Sequence, residues 1–241
     1  MMFDDRVTGR VAEFAPNAKT IIHLDIDPSS ISKNIKVDVP IVGDIKTVLQ
    51  TKLKKVKSQE SLAPRQKAWA DWHQRILRWK VEKPLPYEKS GANGAIRPQH
   101  VIDGIAEITQ GEAIVVTDVG QHQMWTAQFY RFREPRTFLS SSGVGTMGFG
   151  LPAALGAQAA NPEALVIDID GDGSFAMNIQ ELATCFCEKL PVKVLLLNNQ
   201  HLGMVVQWED RFMDGNRAHT YLGPIDHAEA VGKGCLLYTS P

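Results

Sequence analysis

The chain has 241 residues, with Lys+Arg 26 against Asp+Glu 27, so it is long enough to bury a sizeable core, and its balanced charge offers no basic stripe for a nucleic-acid backbone. No apolar run approaches the ~18 residues of a membrane span, and Met1-Met2-Phe3-Asp4-Asp5-Arg6 lacks a basic-then-apolar signal pattern. These features predict a cytoplasmic protein without a membrane or nucleic-acid partner, and three cysteines, Cys185, Cys187 and Cys235, are too few for a disulfide scaffold.

In chain order, the apolar run 20–26 predicts a short strand ending at Asp25-Ile26-Asp27-Pro28, and 41–44 predicts a second strand closed by Gly43-Asp44. A helix is expected from Ile45 towards Leu53, followed by a polar surface connector over 52–62. Over 64–80, Ala68, Trp69, Trp72, Ile76 and Trp79 recur at three- and four-residue spacing, which predicts a helix with one apolar face that Pro84 and Pro86 terminate.

The remainder alternates regularly. Strands are predicted over 113–117, 137–139, 164–169 and 192–197, with helices from the segment after Gly120 through Phe129, from Gly150 to Ala160, and from Phe175 to Glu188. Cys185 and Cys187 fall in the last of these, two apart and so pointing away from each other, and read as small buried residues. Apolar strands separated by helices suit a parallel sheet covered on both faces, so the fold class is α/β, a doubly wound parallel sheet preceded by the tail of a second Rossmann-like α/β domain. Ligands of such sheets sit at the carboxyl ends of the strands.

Gly171-Asp172-Gly173-Ser174 ends one predicted strand, and Asn198-Asn199 ends the next, with Asn199 27 positions after Asp172. Alone, the first is also the signature of a tight turn and the second of a strand cap. Together at neighbouring strand ends they bring a carboxylate and an amide oxygen to one point, and two diphosphate oxygens, a backbone carbonyl and a water complete the six hard oxygens that Mg²⁺ prefers.

Four glycines at 143, 145, 148 and 150 precede the helix that Pro152 opens, which lets backbone approach a ligand or simply makes a turn. Gly120-Gln121-His122 begins another helix, where backbone amides and two polar side chains suit diphosphate oxygens, although a lone histidine there is by itself more often structural. In 203–209, Met204 and Trp208 lie four apart on one predicted helix face, a pattern that plain core packing also produces.

These motifs, with Phe3-Asp4-Asp5-Arg6-Val7-Thr8-Gly9 at the start, resemble the acetolactate synthase (acetohydroxyacid synthase) family over roughly 3–234, as its C-terminal part. The resemblance implies a thiamine diphosphate-binding fold over 91–234, a linker with a helix over 56–90, and the end of a central FAD-binding domain over 1–55. Residues 235–241 depart from the family pattern and read as a non-native tail.

The resemblance also implies that Asp172, Asn199 and the backbone carbonyl of His201 hold Mg²⁺. Gly120, Gln121, His122, Gly145, Gly171, Gly173, Ser174, Gly203, Met204 and Val205 would contact thiamine diphosphate, and Met147 would bend it. Asp25 and Asp44 would flank the stretch that meets FAD, and Trp208 would wall the second-substrate pocket. The implied reaction decarboxylates pyruvate and condenses it with a second 2-keto acid, pyruvate or 2-ketobutyrate, for branched-chain amino acid biosynthesis. A homodimer or homotetramer with a small regulatory subunit is the implied assembly.

The family's activating glutamate lies in a preceding domain, so this polypeptide alone is expected to be inactive, with no catalytic acid or base among its own residues. Another thiamine diphosphate carboligase or decarboxylase, or a non-catalytic assembly fragment, is the competing expectation.

Overall fold

The computed structural model describes residues 3, 5–57, 63–91 and 94–224, and the chain divides into two compact units, Met1–Pro84 and Leu85–Pro241. The tail 235–241, Asp4 and Cys235 lie outside the described residues. Among the described residues, no helix is long and apolar enough to cross a membrane.

In the first unit, helix α1 (Asp5–Thr8) precedes two parallel strands, β1 (Ile22–Asp25) and β2 (Val39–Val42), which pair in register from Ile22 opposite Val39 to Asp25 opposite Val42. Helix α2 (Ile45–Lys57) follows, and Asp44 caps it: its Oδ1 accepts from the Thr47 amide at 2.9 Å and from Thr47 Oγ1 at 3.0 Å. The cap hydrogen bonds hold the Asp44 carboxyl below its ordinary pKa.

The surface connector expected from Lys52 is corrected here. The helix continues to Lys57 because lysines propagate a helix well and Leu49, Leu53 and Val56 maintain helical spacing; 58–62 lie outside the described residues. Helix α3 (Ala63–Glu82) ends two residues before Pro84. On it Trp72 and Trp79 meet edge to face at 5.6 Å, with the Arg75 guanidinium over both rings.

The second unit opens with α4 (Pro98–Ile108), which the sequence reading did not single out; Pro98 suits its first turn, and Ile102 and Ala106 bury one face. Then come β3 (Ile114–Thr117), α5 (Gln121–Phe129), β4 (Phe138–Ser140), α6 (Gly150–Ala160) and β5 (Val166–Gly171). The series ends with α7 (Asp172–Phe175), α8 (Leu182–Cys187), β6 (Lys193–Leu197) and α9 (Gly203–Phe212).

The four strands form one parallel sheet in the order β4-β3-β5-β6. Ile102 and Ala106 of α4 and Tyr130 after α5 pack with Val115, Ile167 and Ile169 on one face. Residues Ala154 and Ala157 of α6 pack with Val116 and Val166 on the other. This is the doubly wound α/β arrangement, and the chain reverses direction across the sheet between β3 and β5. Such a switch point opens a crevice at the strands' carboxyl ends.

The single helix expected over 175–188 is broken. Asn178 leaves helical geometry at φ −131°, because its side-chain amide donates to the Gly148 carbonyl at 2.5 Å and pulls the chain out of line. A 3₁₀ turn, Ile179–Glu181, and the short α8 replace it. Cys187 is exposed, correcting the expectation of burial, whereas half-buried Cys185 donates its thiol to the Leu190 carbonyl at 3.1 Å and is pushed up in pKa by burial.

Candidate cofactor site

Because β5 and β6 are parallel neighbours with Gly171 opposite Leu197, the chain leaves both strands side by side. Adjacent strands lie about 4.8 Å apart, so the turns that follow share one space. Asp172 and Asn199 both line a cavity of about 210 Å³ there. The segment after β3 enters the same cavity through Gly120, Gln121 and His122, and Met147 reaches it from the loop between β4 and α6.

Asp172 is buried at 3 % exposure, and Asn199 is exposed towards the cavity mouth. The Asn199 Oδ1 accepts from the His201 amide at 3.0 Å and keeps a second lone pair. The His201 ring is already engaged, with Nδ1 2.9 Å from the Asn199 carbonyl oxygen and the ring 5.1 Å from that of Tyr221. Among the described residues, no group of three histidine, cysteine or acidic side chains could hold a metal. A cation at this cavity therefore draws on one carboxylate, amide and carbonyl oxygens and the oxygens of its guest, a donor set suited to a hard divalent ion.

Glycines stand where the walls approach most closely. A Cβ on Gly173 would meet Leu202 Cδ2 at 2.8 Å and Leu222 Cδ1 at 2.9 Å, and one on Gly171 would lie 3.0 Å from His122 Nδ1. A Cβ on Gly203 would press on Asn199 Nδ2 at 2.8 Å and on the Gln121 side chain. Both are ends of movable side chains, so Gly203→Ala is expected to shift the melting temperature little. Cofactor affinity should fall about tenfold, ~1.4 kcal/mol, because the amide that must face the ligand is displaced; a thermal melt and a binding titration on the same variant check the two halves.

His122 is buried, and loss of hydration lowers its pKa to about 4 despite the Asp118 carboxylate. Its Nε2 is 3.8 Å from Asp170 Oδ1, too far for a hydrogen bond, and Asp170 is itself raised to about 7, chiefly by burial. At neutral pH the imidazole is therefore uncharged and offers a hydrogen bond rather than a positive charge. Between about 6.5 and about 4 the unfolded chain binds a proton at this position and the folded chain does not, so stability falls as pH is lowered through that window. His122→Gln is expected to flatten this part of the curve, read from melting temperatures between pH 7 and pH 4.

Gly171, Gly173, Ser174, Gly203 and Met204 line the cavity. Gly145, at φ +72°, Val205 and Trp208 do not line it; Trp208 is 60 % exposed and contacts Phe212 with ring centroids 5.2 Å apart. Asp25 ends β1 in the first unit, accepts from the Asp27 amide at 3.0 Å and lies 3.7 Å from His23 Nε2.

The sequence reading passed over Asp118, just after β3, and Asp168 and Asp170, within β5, all fully buried. Their signal was available, since two acids interrupt the apolar run Val166-Ile167-Asp168-Ile169-Asp170 with no basic residue in it. Asp118 organises the cavity floor: it accepts from the amides of Val119 at 2.7 Å, Gly148 at 3.0 Å and Gly150 at 2.6 Å. It thereby fixes the turn that carries Met147.

Residues 118–235 match the thiamine pyrophosphate enzyme C-terminal TPP binding domain, and residues 1–52 match the central domain of thiamine pyrophosphate enzymes. The chain is 57% identical over 222 residues to "Acetolactate synthase 3, chloroplastic" of Brassica napus, covering 92% of this chain and 33% of that protein. It is 52% identical over 239 residues to "Acetolactate synthase, chloroplastic" of Arabidopsis thaliana, covering 99% of this chain and 35% of the relative. The chain thus spans about a third of the length of the curated relatives it matches.

Their chloroplastic names overturn the expected cytoplasmic location. That expectation rested on the lack of a membrane-length apolar run and on the residue pattern at Met1–Arg6, and the latter lies within the stretch that matches the central domain. With two domains of one family in their natural order and acetolactate synthases as its relatives, the chain belongs to the thiamine pyrophosphate enzymes.

Proposed function

We propose that the chain is the C-terminal part of an acetolactate synthase, in which the cavity at the ends of β3, β5 and β6 holds thiamine diphosphate through Mg²⁺. The convergence of the Asp172 and Asn199 turns on one cavity carries this reading. Asp172, Asn199 and the His201 carbonyl are the proposed metal ligands, and the wall glycines permit the close approach a diphosphate needs. Met147 supports the cofactor from the opposite side, and neutral His122 and Gln121 hydrogen-bond its phosphate end.

Bound there, thiamine diphosphate supplies the electron sink for decarboxylating a 2-keto acid. This chain's residues orient the cofactor, neutralise its diphosphate and exclude water. Trp208 and Val205, outside the cavity, are proposed for the side of the second substrate, pyruvate or 2-ketobutyrate, and Gly145 for the turn that presents Met147.

The division into 1–55, 56–90 and 91–234, with 235–241 a non-native tail, is part of the same proposal. FAD is assigned to the first unit, at the strand ends bearing Asp25 and Asp44, in a structural role. The whole protein, about three times as long, is assigned the reaction, an oligomeric assembly with a small regulatory subunit, and, after its relatives' names, a place in the plastid.

The test is product analysis on the full-length polypeptide that contains this sequence. Acetolactate formed from pyruvate, dependent on added thiamine diphosphate and Mg²⁺, is expected. Turnover of glyoxylate but not pyruvate would assign a different carboligase.

A further inference from the structure

The sheet buries three carboxyl groups beneath the cavity, and their surroundings differ. Asp118 is satisfied by three backbone amides. Asp170 Oδ1 accepts from the Gly171 amide at 2.7 Å and from the Ser174 hydroxyl, while its Oδ2 has no partner among the described residues. Asp168 is 0 % exposed, and among the described residues neither of its oxygens has a hydrogen-bond donor.

We propose that Asp168 is carried as a neutral carboxylic acid, a positioning residue whose protonation keeps a buried negative charge away from the Asp118 carboxyl that holds the Met147 turn.

Every element packed against Asp168 points the same way. Its neighbours across the sheet are Val116 and Val194. Helix α6, whose Gly150 approaches so closely that an added Cβ would lie 2.9 Å from Asp168 Oδ1, contains no titratable residue. The charges bearing on Asp168 are Asp170 and Asp118, both acidic, and burial together with these two raises its pKa well above the ordinary carboxylate range. His122, from α5, faces Asp170 at 3.8 Å and interacts with Asp118, and burial keeps it neutral.

An ionised carboxylate without donors in this position would be strongly unfavourable, and three acids side by side cannot all ionise. One proton on Asp168 converts two orphaned acceptors into a donor and an acceptor. It also spares Asp118 a second close negative charge. Asp118 is the group whose amide contacts to Gly148 and Gly150 set the cavity floor.

The experiment uses the whole chain and the variant Asp168→Asn, a neutral near-isostere. In the unmutated chain at pH 8, infrared spectra are expected to show a carboxylic-acid carbonyl stretch that is missing in the variant. Because the unfolded carboxyl ionises near pH 4 while the folded one stays protonated, wild-type stability should fall as pH rises above that value. The variant should therefore melt higher than wild type at pH 8, with the two curves drawing together towards pH 5. An unmutated chain without the acid band, a variant that melts lower at pH 8, or a variant that fails to fold would each overturn the proposal, since each marks Asp168 as an ionised group with a partner.

Discussion

Asp172→Ala is expected to weaken thiamine diphosphate binding in the presence of Mg²⁺ by at least about 100-fold, or ~3 kcal/mol, while leaving the fold intact. Among the described residues, Asp172 is the only carboxylate that lines this cavity. The other proposed ligands are neutral oxygens, which cannot replace its charge on a hard divalent ion. Removing it should also abolish the difference between titrations with and without Mg²⁺. Stability should change little, because Asp172 sits at the start of α7 where a small residue is tolerated and a like charge near Asp170 is removed. Isothermal calorimetry of the variant, with its melting temperature measured alongside, separates lost binding from lost folding.

Asp118→Ala is expected to act in the opposite sense, on the fold first. It leaves the buried amides of Gly148 and Gly150 without an acceptor. Each orphaned buried amide costs ~1–3 kcal/mol, so a loss of about 3 kcal/mol is expected after relief of repulsion among the neighbouring acids. Asp118→Asn should fall between, because its single carbonyl oxygen can serve only one side of the original arrangement. Denaturant unfolding of the three proteins checks the order wild type, Asn, Ala. A variant as stable as wild type would mean that the Met147 turn does not depend on this carboxylate.

Most of the sheet was legible because its strands are short continuous apolar runs, and the helices between them are bounded by Gly150, Pro152 and the strand-end glycines. The pairing of Gly171-Asp172 with Asn198-Asn199 was legible for the same reason: a chain that leaves two parallel neighbours must deliver both turns to one edge. What periodicity missed depends on side chains far apart in sequence. Asn178 breaks its helix by reaching the Gly148 carbonyl, 30 residues away. Helix α2 outlasted its expected end because polar composition alone does not stop a helix made of lysines.

The acids under the cavity were hidden differently. Asp168 and Asp170 look like polar interruptions of a strand, and only the packing of α6 through Gly150 shows that the acids lie inside. Trp208 shows the limit in the other direction. Its four-residue spacing from Met204 suggested a shared face, yet Met204 lines the cavity and Trp208 lies outside it.

The central claim is that two strand-end turns present oxygen atoms to one divalent ion that grips a diphosphate. Mn²⁺ in place of Mg²⁺ tests it most directly, through paramagnetic broadening of backbone amide signals in the whole chain. With thiamine diphosphate present, the signals of Asp172, Gly173, Asn199 and His201 should broaden together at Mn²⁺ concentrations that leave Asp25 and Asp44 sharp, and the effect should vanish without the diphosphate. Broadening that is indifferent to thiamine diphosphate, or that spares Asn199 while affecting Asp172, would contradict the account.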